Sequence, residues 1–291
     1  MKTMIKPVIE HEVLSLITDI SYTNVPAWYG ATRKNLMMDI IAPKVRTPEK
    51  KYPLLLWFCG GAFRVVNKSV WLPEMTYFAE QGFIVASAEY RTSSDGCWED
   101  FLADGRAAVR FLKAHASDYC IDPDRIAVMG ESGGGTMASL LGVTGEINGF
   151  DQGDFLNVSC KVNAVVDVYG LVNMCSDMTE DYAEPSADVP PWCLEDFLGI
   201  GYTEETAKKA SAISYVNAQT VPFLILHGTE DQAVPVSQSV EFYELLQKYG
   251  VKSDLYLLEG AVHGADDFYQ VKVKELIVNW LKDVFGISRT A

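Results

Sequence analysis

The chain is 291 residues long, 48% hydrophobic and 22% charged. That apolar content excludes disorder, and no charge-free apolar run is long enough to span a bilayer. Lys and Arg number 24 against 39 Asp and Glu, a net charge of −15 that argues against nucleic acid or an anionic membrane surface as partner. A globule of this length buries roughly three-quarters of its unfolded surface and needs neither a disulfide nor a metal to hold together. The six cysteines form no C-x-x-C pair and no Cys/His spacing suited to zinc. Glu10, His11, Glu12 and Asp19 interrupt any apolar signal core near the start, so a cytoplasmic protein with free thiols is expected.

In chain order, residues 13–23 and 35–41 contain strand-like stretches, with turn chemistry around Pro26 and Gly30. LLLWF at 54–58 is a continuous apolar run, as expected of a strand buried on both faces. FIVASA at 83–88 comes next and residues 98–118 read as a helix, with Phe101, Val109 and Leu112 on its inner side. RIAVMG at 125–130 runs directly into a small-residue helix over 132–143. Further strands are expected at 162–170, 222–228 and 253–260. Val236, Val240, Tyr243 and Leu246 mark a helix that stops at Gly250. The last helix carries Val273, Leu276, Ile277, Trp280, Leu281 and Val284 on one face. About eight strands alternating with helices describe one doubly wound α/β domain over 1–291.

Two stretches, 145–160 and 171–220, are too long for ordinary connections and are expected to be cap or flap insertions. Residues 171–199 hold seven acidic residues and no basic one. A solvated loop and a flap whose Tyr182, Trp192, Leu194 and Phe197 line a pocket are equally compatible with that composition.

Gly130-Glu131-Ser132-Gly133-Gly134 is a G-x-S-x-G match between a β-branched strand and a small-residue helix. That context holds a serine hydroxyl clear of the sheet on a sharp turn, with a helix N-terminus behind it to favour developing negative charge. A serine needs a base. Of four histidines, His11 and His115 read as structural and His227 as the packed end of a strand. His263 lies in a loop after the last strand, where wound α/β proteins place their sites. Asp231 follows the preceding strand and is the carboxylate chosen to orient the imidazole, with Glu230 as its alternative. Cys59-Gly60-Gly61-Ala62 follows the strand at 54–58, and the N–H groups of Gly61, Ala62 and Gly133 are expected to form an oxyanion hole.

With these residues assembled, the sequence resembles the α/β-hydrolase superfamily over roughly residues 35 to 285. Within it, the likeness is to hormone-sensitive-lipase-like and feruloyl/acetyl-esterase-like bacterial carboxylesterases. Ala88-Glu89-Tyr90-Arg91, the stretch Asp104 to Leu112, Ile121-Asp-Pro-Asp-Arg-Ile126, Pro222 to Gly228 and Glu259 to Gly264 carry the likeness beyond the serine, aspartate and histidine. Cys59 stands where that family usually has the histidine of His-Gly-Gly-Gly. The resemblance implies an α/β-hydrolase fold, a mostly parallel eight-stranded sheet with a small cap or flap. It also implies a serine esterase working through an acyl-enzyme without metal or cofactor. The implied partner is a small-molecule ester with a short or aromatic acyl group, such as acetylated or feruloylated carbohydrate, and a homodimer stays open as an assembly. The rival readings are a prolyl-oligopeptidase-like serine peptidase and a non-catalytic ligand-binding protein on the same fold.

Overall fold

A computed structural model of the protein describes residues 1–9, 12–28, 30–176 and 192–288, without the side chains of 192 and 193. Two long antiparallel strands, β1 (Leu14–Ala27) and β2 (Thr32–Pro43), open the chain. After them come β3 (Tyr52–Phe58), α1 (Leu72–Glu80), β4 (Ile84–Ala88), α2 (Trp98–Ala114), the short α3 (Ala116–Tyr119), β5 (Ile121–Glu131) and α4 (Gly133–Thr144). The second half runs β6 (Ala164–Val168), α5 (Trp192–Leu198), α6 (Glu204–Ala210), β7 (Phe223–Gly228), α7 (Val236–Lys248), β8 (Ser253–Leu258) and α8 (Val271–Phe285).

The strands form one eight-stranded sheet in the order β1-β2-β4-β3-β5-β6-β7-β8. β2 meets β4 antiparallel, and every pairing from β4 through β8 is parallel. The apolar runs follow from this arrangement. Leu54, Leu56 and Phe58 of β3 enter the core on one face of the sheet, while Leu55 and Trp57 enter the core on the other. Val165 and Ile225 repeat the first pattern; Val166 and Leu224 repeat the second. A strand buried on both faces has no position left for a polar alternation.

The first hairpin is longer than the sequence suggests, because β1 continues through Pro26, which pairs with Arg33. β1 is an edge strand, so the missing proline N–H costs no ladder bond on its open side. The expected helix over 98–118 breaks into α2 and α3 at His115.

The 145–160 stretch is fastened along α2. Arg106 donates to Asp151 (2.7 and 3.0 Å), to Thr144 O (2.7 Å) and to Ile147 O (3.0 Å). Arg110 pairs with the same Asp151 carboxylate and with the carbonyls of Gln152 and Asp154. Both guanidiniums are buried, and Phe150 packs edge-on against Trp98. The stretch expected to be a cap or flap insertion is clamped to α2 by these bonds. Long-range charge pairing supplies the contacts that the stretch's own sparse apolar content does not.

The sheet order sets the functional end. From β3 the chain crosses to β4 on one side, then returns to β5 on the other, so the loops after β3 and β5 open beside each other. Crevices at such switch points are where open α/β sheets bind ligands.

Candidate active site

The G-x-S-x-G segment forms the turn from β5 into α4. Ser132 sits at φ 53°, ψ −122°, a conformation few side-chain-bearing residues adopt. The turn is this tight only because its flanks lack side chains. A Cβ on Gly134 would lie 2.0 Å from Phe58 O, and one on Gly130 would lie 2.2 Å from Gly134 O. The Ser132 N–H is tied to Val168 O at 2.9 Å, which fixes the turn against the end of β6.

The parallel pairing of β7 with β8 brings their two following loops together. His263 Nδ1 stands 2.7 Å from Asp231 Oδ2, and His263 Nε2 stands 2.9 Å from Ser132 Oγ. The carboxylate is buried, whereas Ser132 and His263 are half-buried. Burial alone would raise the Asp231 carboxyl. Hydrogen bonds from His227 and His263, the neighbouring imidazole and the Val234 amide together hold it well below the ordinary carboxylate range. Its Oδ1 accepts from Ala233 N and Val234 N at 2.8 and 2.9 Å. Glu230, the alternative carboxylate, is exposed, and its backbone N–H donates to Ala261 O. An aspartate held by its own loop orients an imidazole better than a glutamate facing water.

The loop after β3 lies over the elbow. Gly61, Ala62 and Phe63 take φ values of 144°, 51° and 61°. A Cβ on Gly60 would come within 2.8 Å of Ser132 Cβ, and one on Gly133 within 3.3 Å of the Phe63 ring. Gly60 and Phe63, which flank Gly61 and Ala62, thus close on Ser132 and Gly133. Cys59 does not leave the loop slack. Its carbonyl accepts from Tyr90 Oη at 2.6 Å, its Sγ accepts from Asn67 N at 3.3 Å, and Gly60 N donates to Glu131 Oε1 at 2.9 Å. Burial pushes the Cys59 thiol up to about 11, so it stays protonated and unreactive at neutral pH.

Of the four suggested pocket residues, Tyr182 lies outside the described residues, as does the Trp192 side chain. Leu194 packs half-buried against the core. Phe197 is buried and stacks on Phe63 at 4.0 Å, with Phe101 edge-on to both. Arg64 pairs with Asp196, so α5 is docked on the loop after β3 through both an aromatic and an ionic contact. Phe63 therefore faces Gly133 of the elbow with Phe197 stacked on it. Neither Phe63 nor Tyr169, whose ring centre lies 4.6 Å from that of His263, carried a motif signal. Tyr169 directly follows β6 and Phe63 directly follows the Cys59-Gly60-Gly61-Ala62 segment, which was the available clue. Arg91 and Asp104 form a buried bidentate pair (2.8 and 2.9 Å) that ties the loop after β4 to α2.

Known proteins resemble this chain along most of its length. A probable isoprenylcysteine alpha-carbonyl methylesterase of Arabidopsis thaliana is 28% identical over 89% of the chain. Esterase LipQ of Mycobacterium tuberculosis is 27% identical over 89%. The chain spans only 54% and 61% of the length of those two relatives. The solved structure of Thermogutta terrifontis esterase 2 phosphoramylated by tabun superposes with a TM-score of 0.76 at 23% identity, covering 98% of each chain. That likeness establishes the α/β-hydrolase fold. The BD-FAE family model matches residues 38–246, well over half the chain and inclusive of the Ser132 turn and Asp231. On that match, set upon this fold, the chain belongs to the BD-FAE family.

Proposed function

We propose that the protein is a serine carboxylic-ester hydrolase acting on short-chain or aromatic acyl esters through an acyl-enzyme. The observation that carries this reading is the hydrogen-bonded line from Asp231 through His263 to Ser132, at 2.7 and 2.9 Å, on a strained turn. His263 Nε2 takes the Ser132 hydroxyl proton as Oγ attacks the ester carbonyl. Asp231 holds the Nδ1–H tautomer and stabilises the imidazolium. The N–H groups of Gly61, Ala62 and Gly133 receive the oxyanion, each worth roughly 3 kcal/mol of barrier. Collapse of the tetrahedral species expels the alcohol with the proton from His263. Water then adds to the acyl-enzyme, giving its proton to His263, and the acid leaves as that proton returns to Ser132 Oγ. No step calls for a metal or cofactor.

The relatives named as esterases support ester chemistry, and the resemblance to feruloyl/acetyl-esterase-like carboxylesterases favours aromatic or acetyl groups on carbohydrate. Structures of the Thermogutta terrifontis enzyme with propionate and butyrate bound favour short acyl groups. The test is hydrolysis of chromogenic acetate, butyrate, octanoate and ferulate esters by wild type and Ser132→Ala. Turnover in the wild type that falls roughly 10⁶-fold in kcat without the serine is expected. Equal rates in both proteins would end the reading.

A further inference from the structure

Glu131 ends β5 with its carboxylate beneath the loop after β3, and only 8% of the residue is exposed. Three donors converge on it, two from the loop between β3 and α1 and one from the loop after β6. Oε1 accepts from Gly60 N at 2.9 Å and from Trp71 Nε1 at 3.1 Å. Oε2 accepts from Tyr169 Oη at 2.9 Å. Burial and the adjacent Glu131 push the Tyr169 phenol far above its ordinary value, so it remains a neutral donor. The Tyr169 ring in turn lies between His263 and Phe268, 4.6 Å from each ring centre.

Resting on the esterase reading above, we infer that Glu131 is a positioning residue for both halves of the reaction centre. Through Gly60 it fixes the peptide that leads into Gly61 and Ala62. Through Tyr169 it sets the ring against which His263 packs. A buried carboxylate is costly unless its oxygens are matched, and a site that needed only filling would take an apolar residue. The brace also answers for Cys59. A thiol is a weak hydrogen-bonding group, and here it only accepts, so the loop's firm anchors are Glu131 and Tyr90. The approach depends on glycine at 60, where a Cβ would sit 3.1 Å from Glu131 Oε1.

The test compares Glu131→Gln, Glu131→Ala and Tyr169→Phe by steady-state kinetics on a short-chain chromogenic ester. Hydrogen exchange of the 59–66 segment is followed in parallel. Glutamine can keep an oxygen toward Gly60 and Trp71 and turn its NH₂ to the Tyr169 oxygen, so its kcat should stay within about tenfold of wild type. Alanine should lose roughly 10²-fold in kcat with KM little changed, as expected when donors shift by about 1 Å. Exchange over 59–66 should accelerate in Glu131→Ala and not in Glu131→Gln. Tyr169→Phe, which keeps the ring, should lower kcat by a smaller factor. The proposal is overturned if alanine retains wild-type kcat, if glutamine is as impaired as alanine, or if alanine leaves exchange over 59–66 unchanged. Should alanine fail to fold, glutamine and Tyr169→Phe decide, and an unaltered kcat in Tyr169→Phe sinks the His263 half. Should the wild type hydrolyse no ester, the esterase reading fails by itself, and the exchange comparison still decides whether Glu131 braces the loop.

Discussion

His227 Nε2 lies 3.3 Å from Asp231 Oδ2, the same carboxylate oxygen that His263 holds at 2.7 Å. His227 is fully buried at the end of β7, with Nε2 also 2.9 Å from Val234 O and Nδ1 2.7 Å from Ser239 Oγ. A carbonyl can only accept, so Nε2 carries a proton and donates to Val234 O. The ring is thus a fixed donor behind the site aspartate. Asp231→Asn should lower kcat roughly 10⁴-fold by favouring the wrong His263 tautomer. His227→Leu should cost about 2 kcal/mol of stability by leaving the Ser239 and Val234 groups unmatched, with a much smaller loss of kcat. Urea unfolding and ester kinetics on the two variants check the contrast.

Two buried aspartates should give opposite pH signatures. The Asp231 carboxyl is depressed in the fold, so its stabilisation is present above about pH 4, the unfolded carboxylate range, and is lost as pH falls below it. Asp167, buried on β6 against Ser139 Oγ (2.9 Å) and Gly170 N (2.9 Å), is raised by burial to about 6. The native state therefore holds a proton that the unfolded chain releases. Stability falls as pH rises from about 4 to 6, then levels off. Asp167→Asn can keep both bonds, since the amide NH₂ can donate to the serine oxygen. Melting temperatures at pH 5 and pH 8 should show a gain for Asp167→Asn that is larger at pH 8.

Asp151 is a carboxylate shared by buried Arg106 and Arg110. Removing it leaves two guanidiniums out of water with backbone carbonyls and the Thr144 hydroxyl but no opposite charge from this carboxylate. Asp151→Ala should cost about 3 kcal/mol, the lower end for a broken buried pair because the carboxylate is itself a third exposed. The equilibrium midpoint in urea reads this out, and an unchanged midpoint would show that the carbonyls suffice.

Phe63, stacked on Phe197 and touching the Gly133 side of the elbow, should set the room left for the acyl group. Phe63→Ala should raise kcat/KM for octanoate relative to butyrate by roughly tenfold, the value of a few methylenes in an apolar pocket. A fall of both esters in equal proportion would assign the ring to loop support instead.

The strands at 54–58, 125–130 and 222–228 were legible because a strand buried on both faces is apolar along most of its length. The Ser132 turn was legible for a related reason. A Cβ on Gly130 or Gly134 would meet backbone at 2.0 to 2.2 Å, so the constraint is written into five adjacent residues. The edge hairpin was read too short, since edge pairing tolerates a proline that a central strand would reject.

What the sequence determined by itself was the alternation of buried strands and helices, the strained serine turn, and the order in which serine, aspartate and histidine follow their strands. Only the tertiary structure decided that Asp231 rather than Glu230 meets His263, and that Glu131 accepts from Gly60 in the loop after Cys59. It also decided that Phe63 stands between Phe197 and the elbow. The physical reason is separation along the chain. The bonds involved join residues 32, 71 and 131 positions apart, and they exist only once the parallel strands lie in register.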